Sequence, residues 1–393
     1  MLHGSLSVLR RPHLFIKQAT PFSRLPSFFL PRAALCRTPQ SAIVGDLART
    51  DREKYRKMVV LVVATTEDPA SIGPASAFLA MSSEWRPGPS LQDASIVSED
   101  HLDKRWQALT GEVVEEVMFL SKHTAVSNKP ALTVHPIGVP HLREDETPLQ
   151  GGRPGWAAPP NPRVGPWLRL LKKIANSHNL IPEFEVTLEG THHGPEIDIP
   201  TLFVEIGSTE EYWRRQDAAQ VVALLLWQGL GLDSGGGDGI GKWNGNSEKN
   251  KVLLGLGGGH YAPRHLDVVV ISKEFSAILS CLSFYLSLLQ LEATTDNPLN
   301  FIPRKDGVWV GHLLSGYSLP MEDPKSNNGG QNGIGGTWKQ AIRVAYEATK
   351  SAFPGGVILA HLDHKSFKSW QKNAIISFLN EQNIGIGKPD DFI

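Results

Sequence analysis

Glu189-Gly-Thr-His-His193 places a carboxylate and two imidazoles in one short segment, followed by a Gly-Pro turn. Such groups can move protons for a reaction or hold a divalent metal. Alternation along Phe184–Leu188 turns Glu185, Thr187 and Glu189 to one side of a strand. The loop beyond must set the direction of His192 and His193, since neighbours on a regular strand face opposite ways. A second block, Leu202-Phe-Val-Glu-Ile-Gly-Ser-Thr209, carries Glu205 inside an apolar strand. A carboxylate there is costly unless it is paired, protonated or metal-bound. Gly207-Ser208-Thr209 then opens a helix, and helix N-termini attract anions. In the third block, Leu254–His265, the run Gly257–Gly259 lets a ligand approach the backbone, and His260, Arg264 and His265 crowd behind it. Thinner signals are Ser121-Lys122-His123, Leu132-Thr-Val-His135, Gly311-His312 and His361-Leu-Asp-His364. A lone histidine at a strand end, such as His135 or His312, is more often a hydrogen-bonded structural residue. The sequence has no H-E-x-x-H helix, G-x-S-x-G elbow or zinc-ribbon spacing, and Gly235–Lys242 lacks the ending of a phosphate loop. The residues alone read as a histidine/carboxylate hydrolase-like site.

The elements that must position these groups alternate between strands and helices. Met58–Thr66 is a continuous Val-rich run, the pattern of a strand buried on both faces. Further strands are predicted at Val113–Ser121, Ala131–Ile137, Phe184–Leu188, Leu202–Ile206, Val252–Leu256, Val308–Leu313 and Val357–His361. Helices are predicted at Pro166–Asn176, Thr209–Gln228, Thr337–Ser351 and Ser366–Asn380. This order argues an α/β fold with a mostly parallel sheet flanked by helices, whose active sites lie at the carboxyl ends of strands. Glu144–Pro162 is rich in Pro and Gly. Residues 233–250 and 322–336 are polar and Gly/Asn-rich, reading as surface insertions. Phe275–Leu291 is uncharged and largely apolar, but its interspersed serines favour a buried helix or an insertion over a membrane span.

Charge separates the chain into two parts. The formal net charge is -1, yet residues 1–57 hold eleven Lys/Arg and three Asp/Glu, a net of +8 that leaves -9 on 58–393. The acid-poor, Arg- and Ser-rich start resembles an organelle transit peptide or a disordered extension. A protein that coats nucleic acid needs the opposite sign on its body, so any RNA contact here is a local basic patch. Cys36 and Cys281 are the only cysteines, which excludes a disulfide framework and a Cys-rich zinc module.

Glu189-Gly-Thr-His-His-Gly-Pro195, Phe203-Val-Glu-Ile-Gly-Ser208 and Gly255-Leu-Gly-Gly-Gly-His-Tyr-Ala-Pro263 resemble hallmark blocks of the archaeal and plant type of D-aminoacyl-tRNA deacylase. Ser121-Lys-His123 with Leu132–His135, and Trp309-Val-Gly-His312, are similar to two more. Lys365–Trp370 and Ile386–Pro389 look like the plant members. The resemblance covers Met58 to the end and leaves 1–57 outside; by comparison with the family, 270–305 is an insertion. It implies a phosphorylase/hydrolase-like fold, zinc dependence, and hydrolysis of the ester between a D-amino acid and the terminal ribose of tRNA. In plant members it extends to aldehyde-modified D-aminoacyl-tRNA.

On that resemblance, zinc is expected on some of His192, His193, His260 and His265, with Glu189, His193 and Glu205 as catalytic groups. Lys122, His123, His135, Ser208, Thr209, Gly258, Gly259, Arg264 and His312 are expected to face the substrate. A metal-free route, with the vicinal ribose hydroxyl assisting and the protein supplying oxyanion donors, stays open. So do a zinc-dependent peptidase or amidohydrolase and a non-catalytic RNA or nucleotide binder. The expected partner is the aminoacylated 3′ end of tRNA, with no membrane and a monomeric state. The expected residence is cytoplasmic, with a chloroplast or mitochondrial form if 1–57 is a transit peptide.

Overall fold

The computed structural model describes the backbone of residues 5–11, 14–20, 58–87, 99–148, 151–233, 239–245, 250–270, 307–323 and 334–392. Half of 233–250, most of 270–305 and of 322–336, and the whole of Phe275–Leu291 lie outside these residues.

Two sheets form where the sequence reading expected one. The larger holds β1 (Ser5–Arg11), β2 (Leu14–Thr20), β3 (Met58–Val63), β4 (Arg86–Pro87), β5 (Val113–Lys122), β6 (Ala131–His135), β7 (Glu185–Leu188) and β8 (Thr201–Gly207). Its order is β4-β1-β2-β3-β5-β8-β6-β7. The strands β2, β3, β5 and β8 run parallel, while β6 and β7 run against β8. The smaller sheet is parallel throughout, in the order β10 (Trp309–Leu314), β9 (Lys251–Leu256), β11 (Val357–Leu362), β12 (Gly385–Ile386). The hairpin β1–β2, part of the extension 1–57, adds to the edge of the larger sheet beside β3.

The helices among the described residues are α1 (Pro69–Ala80), α2 (Leu102–Thr110), α3 (Val164–Ser177), α4 (Glu210–Trp213), α5 (Gln216–Gly229), α6 (Pro263–Val270), α7 (Trp338–Ala352), α8 (Ser369–Glu381) and α9 (Pro389–Phe392). The single helix expected over Thr209–Gln228 is broken at Arg214–Arg215. Arg215 is extended there, and its guanidinium is bridged to Glu183 and Asp217.

The continuous apolar run of β3 is explained by burial on both faces. Val62 packs with α1, α3 and α5, while Val59, Leu61 and Val63 pack with Leu102 and Trp106 of α2. The same alternation runs through β5 and β8: Met118, Leu120, Leu202, Val204 and Ile206 join the first core, Phe119 and Phe203 the second. Helix α3 packs against both sheets, through β6 and β7 on one side and β10 on the other. Gly165 permits that approach, since a Cβ there would lie 2.3 Å from the Val308 carbonyl oxygen. The two sheets therefore share a core, and their loops face one another.

Candidate active site

Alternation decides which side chains of the larger sheet meet. With Leu132, Val134, Val186, Leu188, Val204 and Ile206 committed to the α1/α3/α5 core, the residues between them must face the other way. These are Thr133, His135, Thr187 and Glu205, all buried, with Glu189 one residue past β7. In the ladder Thr133 lies opposite Glu205, and His135 opposite Phe203. Because β6 and β7 run against β5 and β8, the chemistry lies across a sheet face. It does not line up along one carboxyl edge, as expected of a fully parallel sheet.

The smaller sheet closes this face. Gly190 N–H donates to the His260 carbonyl at 2.7 Å and Thr191 N–H to the Leu313 carbonyl at 2.6 Å. The loop carrying Glu189, His192 and His193 is thus tied to the loop after β9 and to β10. His260 and Tyr261, from the β9 loop, reach over it. His260 Nε2 lies 2.7 Å from Glu189 Oε2, and Tyr261 Oη lies 2.9 Å from His123 Nε2.

Glu189 stands at the centre, with no exposed surface. Its oxygens face His123 Nδ1 at 3.2 Å, His192 Nε2 at 3.4 Å and His260 Nε2. Glu205 Oε2 faces His123 Nδ1 at 3.5 Å and His135 Nε2 at 3.8 Å. The rings of His135, His192 and His193 crowd together, with centroids 4.2–5.1 Å apart. These approaches are close in distance but poorly aligned. Both Glu189 oxygens, Glu205 Oε1 and His135 Nε2 are buried with no hydrogen-bond partner.

The electrostatics divide the cluster. Burial favours the neutral form of both carboxyls, but the facing histidines outweigh it, holding Glu189 well below the usual carboxylate range and Glu205 below it. Burial also opposes charge on His123, yet the two carboxylates prevail and raise it to about 9. His135 is raised for the same reason, chiefly by Glu205. His192 and His193 go the other way: burial, then the positive charge of neighbouring histidines, holds His192 well below 6.5 and His193 at about 4. Burial and the Glu189 charge push the Tyr261 hydroxyl up to about 12.

This donor set fits a metal ion. Three overlapping groups, His135/His192/His193, His123/Glu189/His260 and His135/Glu189/Glu205, can each bring one ligand atom apiece to within 4.8 Å of the others. His192 Nδ1 donates to the Gly190 carbonyl at 2.7 Å, so the neutral ring turns the lone pair of Nε2 toward a carboxylate oxygen. Two acceptors facing each other in a buried site are satisfied by a cation between them. His135 repeats the pattern, with Nδ1 on the Pro136 carbonyl at 3.2 Å.

Several expected site residues do other work. His265, expected as a ligand, belongs to none of these groups. On α6 it is fully buried, its Nε2–H on the Gly257 carbonyl at 3.2 Å and its Nδ1 2.8 Å from His361 Nδ1. His312, expected to face substrate, is saturated. Its Nε2–H donates to the Ala158 carbonyl and its Nδ1 accepts from the Thr191 hydroxyl, both at 2.9 Å. That hydroxyl in turn accepts from Leu313 N–H, so His312 braces the loop of Glu189 from behind. The Ser208 hydroxyl donates to the Lys129 carbonyl at 2.6 Å and lies beside the Tyr261 hydroxyl, and Thr209 precedes a helix of only four residues. Lys122 is exposed, its ammonium 5.1 Å from the Trp213 ring centre. Arg264 is exposed at the start of α6, 3.8 Å from Asp267. Gly258 has φ +90° and Gly259 stands open to solvent beside His260. His123 and His135, expected as substrate contacts, join the cluster itself. Tyr261 was not singled out by sequence; its place directly after His260 in the glycine-rich block was the available signal.

An ionised carboxylate held between charged and neutral imidazoles, on an α/β scaffold, equips a hydrolase that works by proton transfer with a metal-compatible donor set. Comparison with known proteins gives the rest. Residues 110–292 match a family described as D-aminoacyl-tRNA deacylase, a span that includes every member of the cluster. A D-aminoacyl-tRNA deacylase of Arabidopsis thaliana is 58% identical over 353 residues, covering 85% of this chain and all of the relative. Those of Methanococcus maripaludis (strain C7) and Archaeoglobus fulgidus are 38% and 34% identical, over 42% and 44% of this chain and 61% and 55% of theirs. A crystal structure of a conserved protein of unknown function superposes with TM-score 0.55 at 22% identity, covering 86% of this chain and 98% of that one. The chain belongs to the D-aminoacyl-tRNA deacylase family.

Proposed function

We propose that this protein hydrolyses the ester that joins a D-amino acid to the terminal ribose of tRNA, releasing both. The observation that carries the reading is Glu189, an ionised and fully buried carboxylate with two oxygens free of hydrogen bonds, ringed by His123, His192 and His260. A carboxylate so placed takes a proton from the attacking water. His123, protonated at neutral pH and in contact with the Tyr261 hydroxyl, supplies a proton toward the departing ribose oxygen. Glu205 holds His123 and His135 in place. The neutral rings of His192 and His193, with His135, would hold zinc. Bound there, zinc supplies a Lewis acid for the ester carbonyl and lowers the pKa of a bound water.

The experiment is deacylation of matched D- and L-aminoacyl-tRNA. Selective release from the D-ester is expected, and equal rates would reject the reading. Verified removal of metal by a chelator is expected to lower the rate at least about 100-fold, with recovery on adding zinc; an unchanged rate would confine zinc to structure or dispense with it.

Three finer points belong to the same proposal. The plant-like blocks at Lys365–Trp370 and Ile386–Pro389, with the Arabidopsis similarity, support action on aldehyde-modified D-aminoacyl-tRNA as well. The enzyme works as a monomer in the cytoplasm, and the Arg-rich 1–57 supports an additional organelle-directed form, which sequencing of the mature N-terminus tests. No helix among the described residues is long and apolar enough to cross a membrane.

A further inference from the structure

Tyr317 is 80% exposed, on a turn whose position is fixed from several sides. The turn follows β10, and Gly316 N–H donates to the Gly258 carbonyl at 2.9 Å. Gly257 N–H donates to the Leu314 carbonyl at 2.8 Å, and Ser318 N–H closes back on Ser315 at 3.0 Å. Ser315, two residues before the tyrosine, packs beside Gly190: a Cβ on that glycine would lie 3.4 Å from the Ser315 Cβ. Gly190 is next to Glu189, so the turn that carries Tyr317 lies beside the catalytic cluster.

The loop after β9, which the turn touches at Gly258, is glycine up to His260. Among the described residues, its chain neighbours apart, no heavy atom comes within 4 Å of where a Cβ on Gly259 would stand. His260, which follows it, keeps 44% of its side chain exposed while touching Glu189. On the other flank of Gly258 runs the loop after β11, where Asp363 Oδ2 lies 3.5 Å from the position of a Gly258 Cβ. Lys365 N–H donates to Asp363 Oδ1 at 3.0 Å, and the Lys365 side chain is exposed, as is Arg264 beyond His260. An exposed aromatic, an open glycine path and two cations lead to one catalytic carboxylate. A base can stack on the first and a phosphodiester can lie along the others. The -9 charge of residues 58–393 makes such a local arrangement necessary for any RNA end to approach.

We propose that Tyr317 is the stacking platform for the 3′-terminal base of the RNA, holding the terminal ribose so that its ester reaches Glu189. The inference rests on the ester-hydrolase reading above and adds the residue that recognises the nucleotide part of the substrate. Tyr317 positions the substrate and takes no part in bond breaking.

The test compares Tyr317→Ala and Tyr317→Phe on a D-aminoacyl-tRNA. The alanine variant is expected to raise KM roughly tenfold, the scale of one lost base–aromatic stack, with kcat within about twofold. The phenylalanine variant should match the parent, because stacking needs the ring and not the hydroxyl. An unchanged KM in Tyr317→Ala, or an equal defect in both variants, overturns the proposal. A second measurement needs no catalysis: an uncharged RNA hairpin ending in 3′ CCA, with 2-aminopurine as the last base, is titrated with the protein. Quenching by the parent and by Tyr317→Phe, lost in Tyr317→Ala, supports stacking; no quenching by the parent rejects it. If D-aminoacyl-tRNA is not cleaved at all, the ester-hydrolase reading fails while the titration still decides the stacking surface.

Discussion

Two sets of histidines lie where the two sheets meet, and they differ in whether their hydrogen bonds are complete. His312 and His265 use both ring nitrogens, on the Thr191 hydroxyl, the Ala158 and Gly257 carbonyls and His361. The cluster around Glu189 leaves both carboxylate oxygens, one oxygen of Glu205 and His135 Nε2 without an aligned partner. Burial alone does not mark the chemistry: Glu189, Glu205, His123 and His135 are buried like His265 and His312, while His260 keeps 44% of its side chain exposed. Completeness does: a saturated imidazole fixes backbone, while an unsatisfied donor set is kept for something that arrives. The two sets also meet, since Thr191 links His312 to the loop of Glu189.

The largest effect that sharpens this contrast is expected from Glu189→Gln. The amide cannot accept a proton from water at neutral pH, and loss of a positioned general base lowers kcat by about 10³-fold. Stability should fall modestly, because the facing histidines favour the ionised Glu189 in the folded state and the amide loses that attraction. Measuring kcat together with urea unfolding decides. A Glu189→Gln protein that unfolds easily but keeps its rate would erase the distinction between the two sets.

His312→Ala tests the opposite side. Removing a fully buried ring strands the Thr191 hydroxyl and the Ala158 carbonyl and leaves a cavity, a cost of about 3 kcal/mol. Acid adds a specific signature. Burial holds His312 at about 4, below the 6.5 of an exposed imidazole, outweighing the Ala158 carbonyl, which favours the charged ring. Below pH 6.5 the unfolded chain therefore binds the proton first. The stability that the neutral ring contributes is complete above that pH and drains as the pH falls toward 4, by about 2 kcal/mol at pH 5. Urea titrations at pH 7 and pH 5 should show a smaller acid loss in His312→Ala than in the parent. An identical loss would assign the acid sensitivity to other groups.

Much of the scaffold was legible because one-dimensional pattern and burial agree. The Val-rich run of β3 is covered on both faces, and the alternation read along Phe184–Leu188 carries Thr187 and Glu189 to the working face, where Glu205 of β8 joins them. The candidate residues were legible as types at strand ends. Their division was not, since it depends on which loop meets which across two sheets. His260 and His265 sit five residues apart, but the turn into α6 sends one over Glu189 and the other into the core beside His361. The reversed direction of β6 and β7 was equally hidden, because alternation reads the same along either direction. The break at Arg214–Arg215 depends on Glu183, distant in sequence and adjacent in space.

The smallest effect, and the finest probe of the contrast, is expected from Tyr261→Phe. His123 lies between the two kinds of histidine. Its Nδ1 faces both carboxylates, as in the unsatisfied set, while its Nε2 meets the Tyr261 hydroxyl at 2.9 Å, as in the saturated one. If that contact only completes a hydrogen bond, its loss should cost about 1 kcal/mol of stability and leave kcat unchanged. If His123 delivers its proton through the hydroxyl, the phenyl ring breaks the path. kcat should then fall about tenfold while KM stays within about twofold. The leaving group separates the outcomes further. A D-amino acid ester with a more acidic alcohol needs less proton donation, so the Tyr261→Phe defect should shrink on that substrate. A defect of the same size on both esters would return Tyr261 to the structural set and leave proton delivery to His123 alone.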